Sequence, residues 1–301
     1  MMTQTFADPA ASIRLAAAPI SWGVCEVPGW GRVLEPPKVL GEMAELGLSA
    51  TELGPPGYLP DDPSALLRQF GLSLVGGFLA TPLHVSVDEA VAAAERSAKQ
   101  LSAGGAEVLV LAAATGLTGY DERPELTDEQ WNTLIRSADA VAEVAAGYGL
   151  RTVLHPHVGT YVETEPEVER FLRDSSLPLC VDSGHLMIGG TDPVRLVQQH
   201  ADRVGHVHLK DVRAAVAERV RAGELTYTAA ISQGLYAPLG DGDVDIAEMI
   251  RVLCSADYRG WYVLEQDTAL PEDETGDVDR PKVDTERSMR YLKSIIGTSH
   301  R

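Results

Sequence analysis

The stretch GLRTVLHPHVGTYVETEPEVERFLRDSSLPLCVDSGH (149–185) decides the fold. Gly149 is a residue suited to closing a helix, and a short apolar run, 151–157, follows it. Thr164 then opens a helix with Pro166 just inside it, where the missing proline N–H has no intrahelical partner to lose. A second apolar run, 177–185, comes next. Short apolar runs separated by a helix at this spacing imply parallel strands joined by a crossover.

The same alternation continues in both directions. Strand-like runs at 15–20, 48–54, 72–80 and 107–114 precede this unit, and runs at 203–211 and 260–267 follow it. Helical patterns lie between them. One covers 37–46 and stops at Gly47, another covers 63–70 before Gly71, and an Ala-rich one runs from Val87 to Ala103 before Gly104-Gly105. Thr127 is an N-cap with acidic residues in the first turn of a helix that ends at Tyr148, and Asp192-Pro193 opens another. Residues 245–256 and 283–296 complete the set.

Eight runs, each followed by a helix, match a (β/α)8 TIM barrel in count and length. The expected organisation is one α/β domain over 14–297 behind a flexible N-terminal tail, 1–13. A doubly wound open sheet would carry a glycine-rich phosphate loop after its first strand. SWGVCEVPGWG (21–31) does not fit that motif. Two insertions, 212–243 and 267–282, exceed the usual loop length, and both belong on the C-terminal face, where barrel active sites sit. The first carries Tyr227, Tyr236 and the GDGD turn (240–243), which suits an active-site cover. The second is acidic and reads as a solvated excursion.

Composition limits the function. The 301 residues are 45% hydrophobic and 23% charged, enough to bury a sizeable core. Lys and Arg number 25 against 44 Asp and Glu, so the net charge is 25 − 44 = −19. With no basic cluster in the sequence, such a surface repels phosphate backbones and argues against nucleic acid as a partner. No apolar run approaches the length of a membrane span. The N-terminus has no signal-peptide pattern, and three widely spaced cysteines form no pair motif, so a reducing cytoplasmic setting is expected. Trp30, Trp131 and Trp261 could serve a homo-oligomer interface or the core equally well.

Ionisable residues gather where the runs end. Glu52 ends run two, and His155 and His157 end run five. Asp182 ends run six with His185 three residues on; His206, His208 and Lys210 lie in run seven, and Glu265 and Asp267 end run eight. Residues two apart on a strand share a face, so these groups converge at one end of a closed barrel. Buried charge needs partners or a metal, and carboxylates with imidazoles from several strands have the composition of a divalent-metal site. Asp182 and Glu265 are the strongest members, with His208 next. His206 could face the barrel wall as a hydrogen-bonding residue. His185 could brace its loop or act on substrate, Lys210 could neutralise the carboxylates, and His84 and His200 read as ordinary histidines.

These residues carry a resemblance. APISWG (18–23), TELG (51–54), LTDEQW (126–131), HPHVGT (155–160), VDSGH (181–185), HVHLKD (206–211), PLGDGD (238–243) and GWYVLEQD (260–267) resemble the xylose isomerase-like TIM barrels. That superfamily holds sugar isomerases, epimerases and endonuclease IV-type enzymes, and the nearest resemblance is to its inosose dehydratase branch. The resemblance implies a metal set of Glu, Asp, His and Glu from strands five to eight. The last three fall on Asp182, His208 and Glu265, while the first position holds His155, and His157 is the alternative ligand. An imidazole in place of a carboxylate favours Mn or Co over Mg, with Zn a further option.

The implied reaction removes a proton beside a ketone and passes through an enediolate, dehydrating a keto-cyclitol. The alternative is an isomerase or epimerase of a keto-sugar, or a carbon–glycoside-cleaving enzyme of the same fold. In all of these the partner is a small polyol or keto-sugar. His157, His185 and Glu52 are the candidate acids and bases, and Lys210 would orient oxygen atoms. The acidic charge argues against endonuclease activity.

Overall fold

The computed structural model describes residues 13–25, 27–272 and 277–298. The expected tail therefore lies outside the described residues except for Ile13, as do residues 273–276 of the second insertion. The strands are β1 (Arg14–Ala17), β2 (Ala50–Thr51), β3 (Ser73–Leu74), β4 (Gly76–Thr81), β5 (Val108–Ala113) and β6 (Arg151–Leu154). They continue as β7 (Leu179–Asp182), β8 (Val204–Leu209), β9 (Asp211–Val212), β10 (Tyr236–Ala237) and β11 (Trp261–Leu264).

All but β9 and β10 form one parallel sheet in the order β3-β2-β1-β11-β8-β7-β6-β5-β4. β3 and β4 are two pieces of one run, joined at Val75. The Val75 N–H donates to the Thr51 carbonyl at 2.9 Å, and the Val75 carbonyl accepts from Glu107 N–H at 2.8 Å. One residue thus bonds to both ends of the sheet, which closes it into an eight-stranded barrel. Gly76 permits this closure, because a Cβ there would lie 2.6 Å from the Val108 carbonyl oxygen.

Helices cover the outside. Their order is α1 (Pro36–Glu45), α2 (Ser64–Gln69), α3 (Val87–Ala103), α4 (Asp128–Gly147), α5 (Glu165–Asp174), α6 (Ser183–Ile188), α7 (Pro193–His200), α8 (Ala214–Arg221), α9 (Tyr227–Ser232), α10 (Ile246–Ser255) and α11 (Arg280–Thr298). Thr127 and Gln130 form a capping box at α4, and Thr164 and Glu167 form another at α5, so the two expected starts are both fixed by side chains. The apolar stripe Ala90, Ala94, Ala98 and Leu101 of α3 is fully buried, as helical spacing requires. Among the described residues no helix is long and apolar enough to cross a membrane.

The two insertions are more ordered than loops. The first folds as an antiparallel β9–β10 pair carrying α8 and α9. Its ends are knitted by Asp211, whose carboxylate accepts N–H bonds from Val212, Gly240, Gly242 and Val244. The second does not begin as a solvated excursion. Asp267 and Leu270 are buried, and the Thr268 carbonyl accepts the Trp30 indole N–H at 2.8 Å. Trp30, Trp131 and Trp261 are all buried within the chain, so core packing accounts for them.

Candidate active site

A cavity of about 200 Å3 opens at the C-terminal ends of the strands. Ala18, Pro19, Ile20, Trp30, Phe78 and Leu79 form an apolar wall. Glu52, His155, His157, His208, Glu265 and Asp267 supply the polar lining, and Tyr120 and Tyr227 complete it. Asp182, His185 and Lys210 are buried against this lining and are not part of it.

Asp182 serves two sides. Its Oδ1 caps α6, accepting from Gly184 N and His185 N, both at 2.9 Å. Its Oδ2 faces the cluster, 3.3 Å from His155 Nε2 and 3.7 Å from His208 Nδ1. On the other flank, Glu265 Oε2 lies 2.6 Å from His208 Nδ1, yet neither atom has a hydrogen bond of acceptable geometry.

Glu52 explains why that contact matters. Its Oε1 takes His206 Nε2 at 2.9 Å and His208 Nε2 at 3.1 Å. Both rings must donate from Nε2, so a neutral His208 turns an Nδ1 lone pair toward Glu265. Two acceptors at that distance repel unless a proton or a cation lies between them. In its absence a proton is drawn in: burial opposes protonation of His208, but the surrounding Cys180, Glu265 and Glu52 push its pKa well above the ordinary value. Asp182, His208 and Glu265 bring one ligand atom each within 4.8 Å of one another, and His155, Asp182 and His185 form an adjoining group. These buried His, Glu and Asp clusters can hold a divalent metal, and the orphaned Nδ1 and Oε2 fit one.

Lys210 balances the carboxylates. Its Nζ lies 2.7 Å from Asp267, 3.1 Å from Glu265 and 3.5 Å from Asp182. Burial would discharge it, but those three carboxylates hold its pKa well above normal. Gly184 makes room for it, since a Cβ there would lie 2.6 Å from Lys210 Cβ. The same ammonium donates to His185 Nε2 at 2.9 Å. His185 is thereby kept neutral, by burial first and then by His157 and Lys210.

His157 has a different setting. Its Nδ1 donates to the Val158 carbonyl at 2.7 Å, which leaves Nε2 as a lone-pair nitrogen at the cavity. Burial, then His155 and Lys210, push its pKa down to about 3. The ring packs against His185 at 3.7 Å and Tyr120 at 4.7 Å between centroids.

A family model described as xylose isomerase-like TIM barrel matches residues 40–295. The chain belongs to the xylose isomerase-like TIM barrel family. An inosose dehydratase of Geobacillus kaustophilus is 36% identical over 274 residues, covering 85% of this chain and 89% of its own. The rhizopine catabolism protein MocC of Rhizobium meliloti is 36% identical over 267 residues, covering 84% and 81%. Among solved structures, an L-ribulose 3-epimerase superposes with a TM-score of 0.71 at 15% identity, covering 96% of both chains. The probable 3-DHS dehydratase AsbF of Bacillus anthracis gives 0.68 at 17% identity, covering 93% and 99%. At those identities the structures show the shared fold.

The geometry sorts the candidates named from sequence. His155, Asp182, His208 and Glu265 come together, whereas His157 lies outside every ligand group found among the described residues. Glu52 is committed to two imidazoles, the His185 ring to Lys210 and the Val158 N–H, and Lys210 to His185 and three carboxylates. Asp267 was placed beside Glu265 at a converging strand end and Tyr227 on the covering insertion, neither with a role of its own, and the cavity is lined by both. Tyr120 was not singled out; it reaches the cavity only through loop geometry.

Proposed function

We propose that the protein is a divalent-metal-dependent hydro-lyase that dehydrates a keto-cyclitol of the inosose class. The relatives named inosose dehydratase support the substrate class, since the match covers most of both chains. The observation that carries the chemistry is the pairing of a neutral, lone-pair His157 Nε2 with the acceptor cluster Asp182, His208 and Glu265 at one cavity.

His155, Asp182, His208 and Glu265 are the proposed metal ligands. Two imidazoles in the set favour a transition metal such as Mn or Co over Mg, with Zn a further option. When bound, the metal supplies Lewis acidity at the ketone. His157 is the proposed base. Its Val158 contact fixes the tautomer, so Nε2 presents the lone pair that takes a proton from the carbon beside the ketone, and the same nitrogen then gives that proton to the β-hydroxyl, which leaves as water. Glu52 fixes His208 through Nε2, an outer partner that orients a ligand from the cavity wall. Lys210 holds Glu265 and Asp267 as carboxylates.

Epimerisation is the second reading. It needs a second proton-transfer group on the face opposite His157. In the eight-stranded ring β1 lies across from β6 and leads into Ala18, Pro19 and Ile20, so that group would have to come from the flanking β2 or β11, as Glu52 or Glu265. The proposed setting is cytoplasmic, supported by three cysteines that form no disulfide among the described residues.

The test is a dehydration assay with scyllo-inosose on metal-stripped protein and on protein given Mn or Co, following the dione absorbance. Turnover should return with metal and be absent in Asp182→Ala. A protein that binds metal but dehydrates no inosose would overturn the reading.

A further inference from the structure

The first insertion delivers two tyrosines to the interior. Tyr227 starts α9, Tyr236 lies on β10, and both side chains are buried. The Tyr227 hydroxyl donates to Asp267 Oδ2 at 2.6 Å. Its single proton is then used, so the 2.8 Å contact between the two tyrosine hydroxyls has Tyr236 as donor. The chain of donation runs from Tyr236 to Tyr227 to Asp267, and it ends at the cavity wall, which Tyr227 and Asp267 line.

What this wall lacks is a donor. A phenol oxygen has two lone pairs, and Tyr236 uses one. A carboxylate has about four acceptor positions. Tyr227 fills one on Asp267 Oδ2. Lys210 Nζ takes Oδ1 as an ion pair at 2.7 Å, so the positions left for a ligand are the second lone pair of the Tyr227 oxygen and the remaining one on Oδ2, in a carboxylate only 7% exposed. Buried acceptors without donors are costly. A group that satisfies them must carry a proton and no negative charge. A hydroxyl does; a carbonyl has nothing to donate, and a phosphate would meet the carboxylate.

We propose that Tyr227 and Asp267 form a subsite that reads one hydroxyl of the substrate ring, with Tyr236 as the positioning residue that fixes the Tyr227 proton. This rests on the keto-cyclitol reading and deepens it: the substrate carries a free hydroxyl, not a phosphate, at that position. The insertion is then a specificity element as well as a cover. Asp121 ties it down from the loop after β5, accepting from Thr228 N at 3.2 Å and from Thr228 Oγ1 at 3.0 Å.

The experiment uses metal-loaded protein, scyllo-inosose and its monodeoxy analogues. Sites built to bond a hydroxyl reject the analogue lacking it by orders of magnitude. Among the analogues that keep the departing hydroxyl, wild-type kcat/KM should fall by at least ~10²-fold for one and far less for the others. In Tyr227→Phe that penalty should shrink roughly ten-fold at that position alone, through KM, a change that general loosening would not confine to one hydroxyl. Tyr236→Phe should shrink it less, and both variants should fold cooperatively at a melting temperature a few degrees below wild type, since each deletion leaves a buried acceptor without its donor. Equal discrimination by wild type and Tyr227→Phe at every position overturns the subsite. If wild type turns over no inosose, the functional reading falls. Calorimetry with myo-inositol and its monodeoxy analogues then decides the subsite alone: a Tyr227-dependent preference for one hydroxyl supports it, and its absence overturns it.

Discussion

From β1 to β5 the strand ends reach the cavity with Ala18, Pro19, Ile20, Phe78, Leu79 and Ala80, and with a single ionisable group, Glu52. From β6 to β11 they bring His155, His157, Asp182, His208, Lys210, Glu265 and Asp267 to the site or directly behind it. Both halves are parallel strands of one barrel, so the backbone does not separate them. The difference lies in what each half must do. One packs against a ring and excludes water. The other holds charge in a setting where each carboxylate needs a cation and each imidazole a fixed tautomer. Glu52 crosses between them, since it comes from the apolar half and bonds two histidines of β8.

That crossing gives the largest effect we expect among tests of the comparison. Glu52→Gln keeps the volume but lowers the pull on the two Nε2 protons. Outer partners of this kind are worth about 10–100-fold in metal affinity. Chelator competition should show a loss in that range, with little change in the substrate KM at saturating metal. Unchanged metal affinity would mean that the two halves are chemically independent.

The division was legible in the sequence wherever it depended on strand ends. The period-two spacing of His206, His208 and Lys210, and the carboxylates closing apolar runs at Asp182 and Glu265, placed the polar half correctly, because a strand's inward face follows from alternation alone. Roles were less legible. Glu52 and His185 read as acids or bases, and Lys210 as a group that neutralises carboxylates or orients oxygen atoms, because each is titratable and near the rim. The structure shows each with its valences taken by neighbours up to 156 residues away in sequence, as in the Glu52–His208 contact. Such pairing depends on which strands are adjacent and on side-chain reach. The tyrosine pair was hidden for a related reason: Tyr227 and Tyr236 belong to an insertion, and only its fold turns them inward.

Acidification should act mainly on the polar half, with His84 after β4 as the one histidine of the other half that burial also lowers. His157 has a folded pKa of about 3, set mainly by burial, against 6.5 when free. The folded state therefore refuses a proton that the unfolded chain accepts below pH 6.5. The stability this contributes is complete above that pH and is lost as pH falls toward 3. Burial lowers His155, His185 and His206 in the same sense, while His208 runs the other way. In metal-free protein the denaturant midpoint should fall between pH 7 and pH 5. Replacing His157 with Gln should flatten that fall. A midpoint constant over this range would mean that the buried imidazoles are already charged.

The smallest expected effect belongs to the apolar half. Ile20 follows β1, across the ring from His157, and is half-buried against the cavity. It has no proton to move and no charge to hold, so its contribution is contact area with the substrate ring, equal in the ground and transition states. Ile20→Val removes one methylene, worth about 0.8 kcal/mol, or roughly four-fold in KM, with kcat unchanged. Steady-state kinetics with scyllo-inosose separates the two parameters. A fall in kcat with KM constant would place Ile20 against the reacting carbon and show that the apolar wall orients the substrate in the transition state. That outcome would erase the division of labour, because both halves of the barrel would then act on the chemical step.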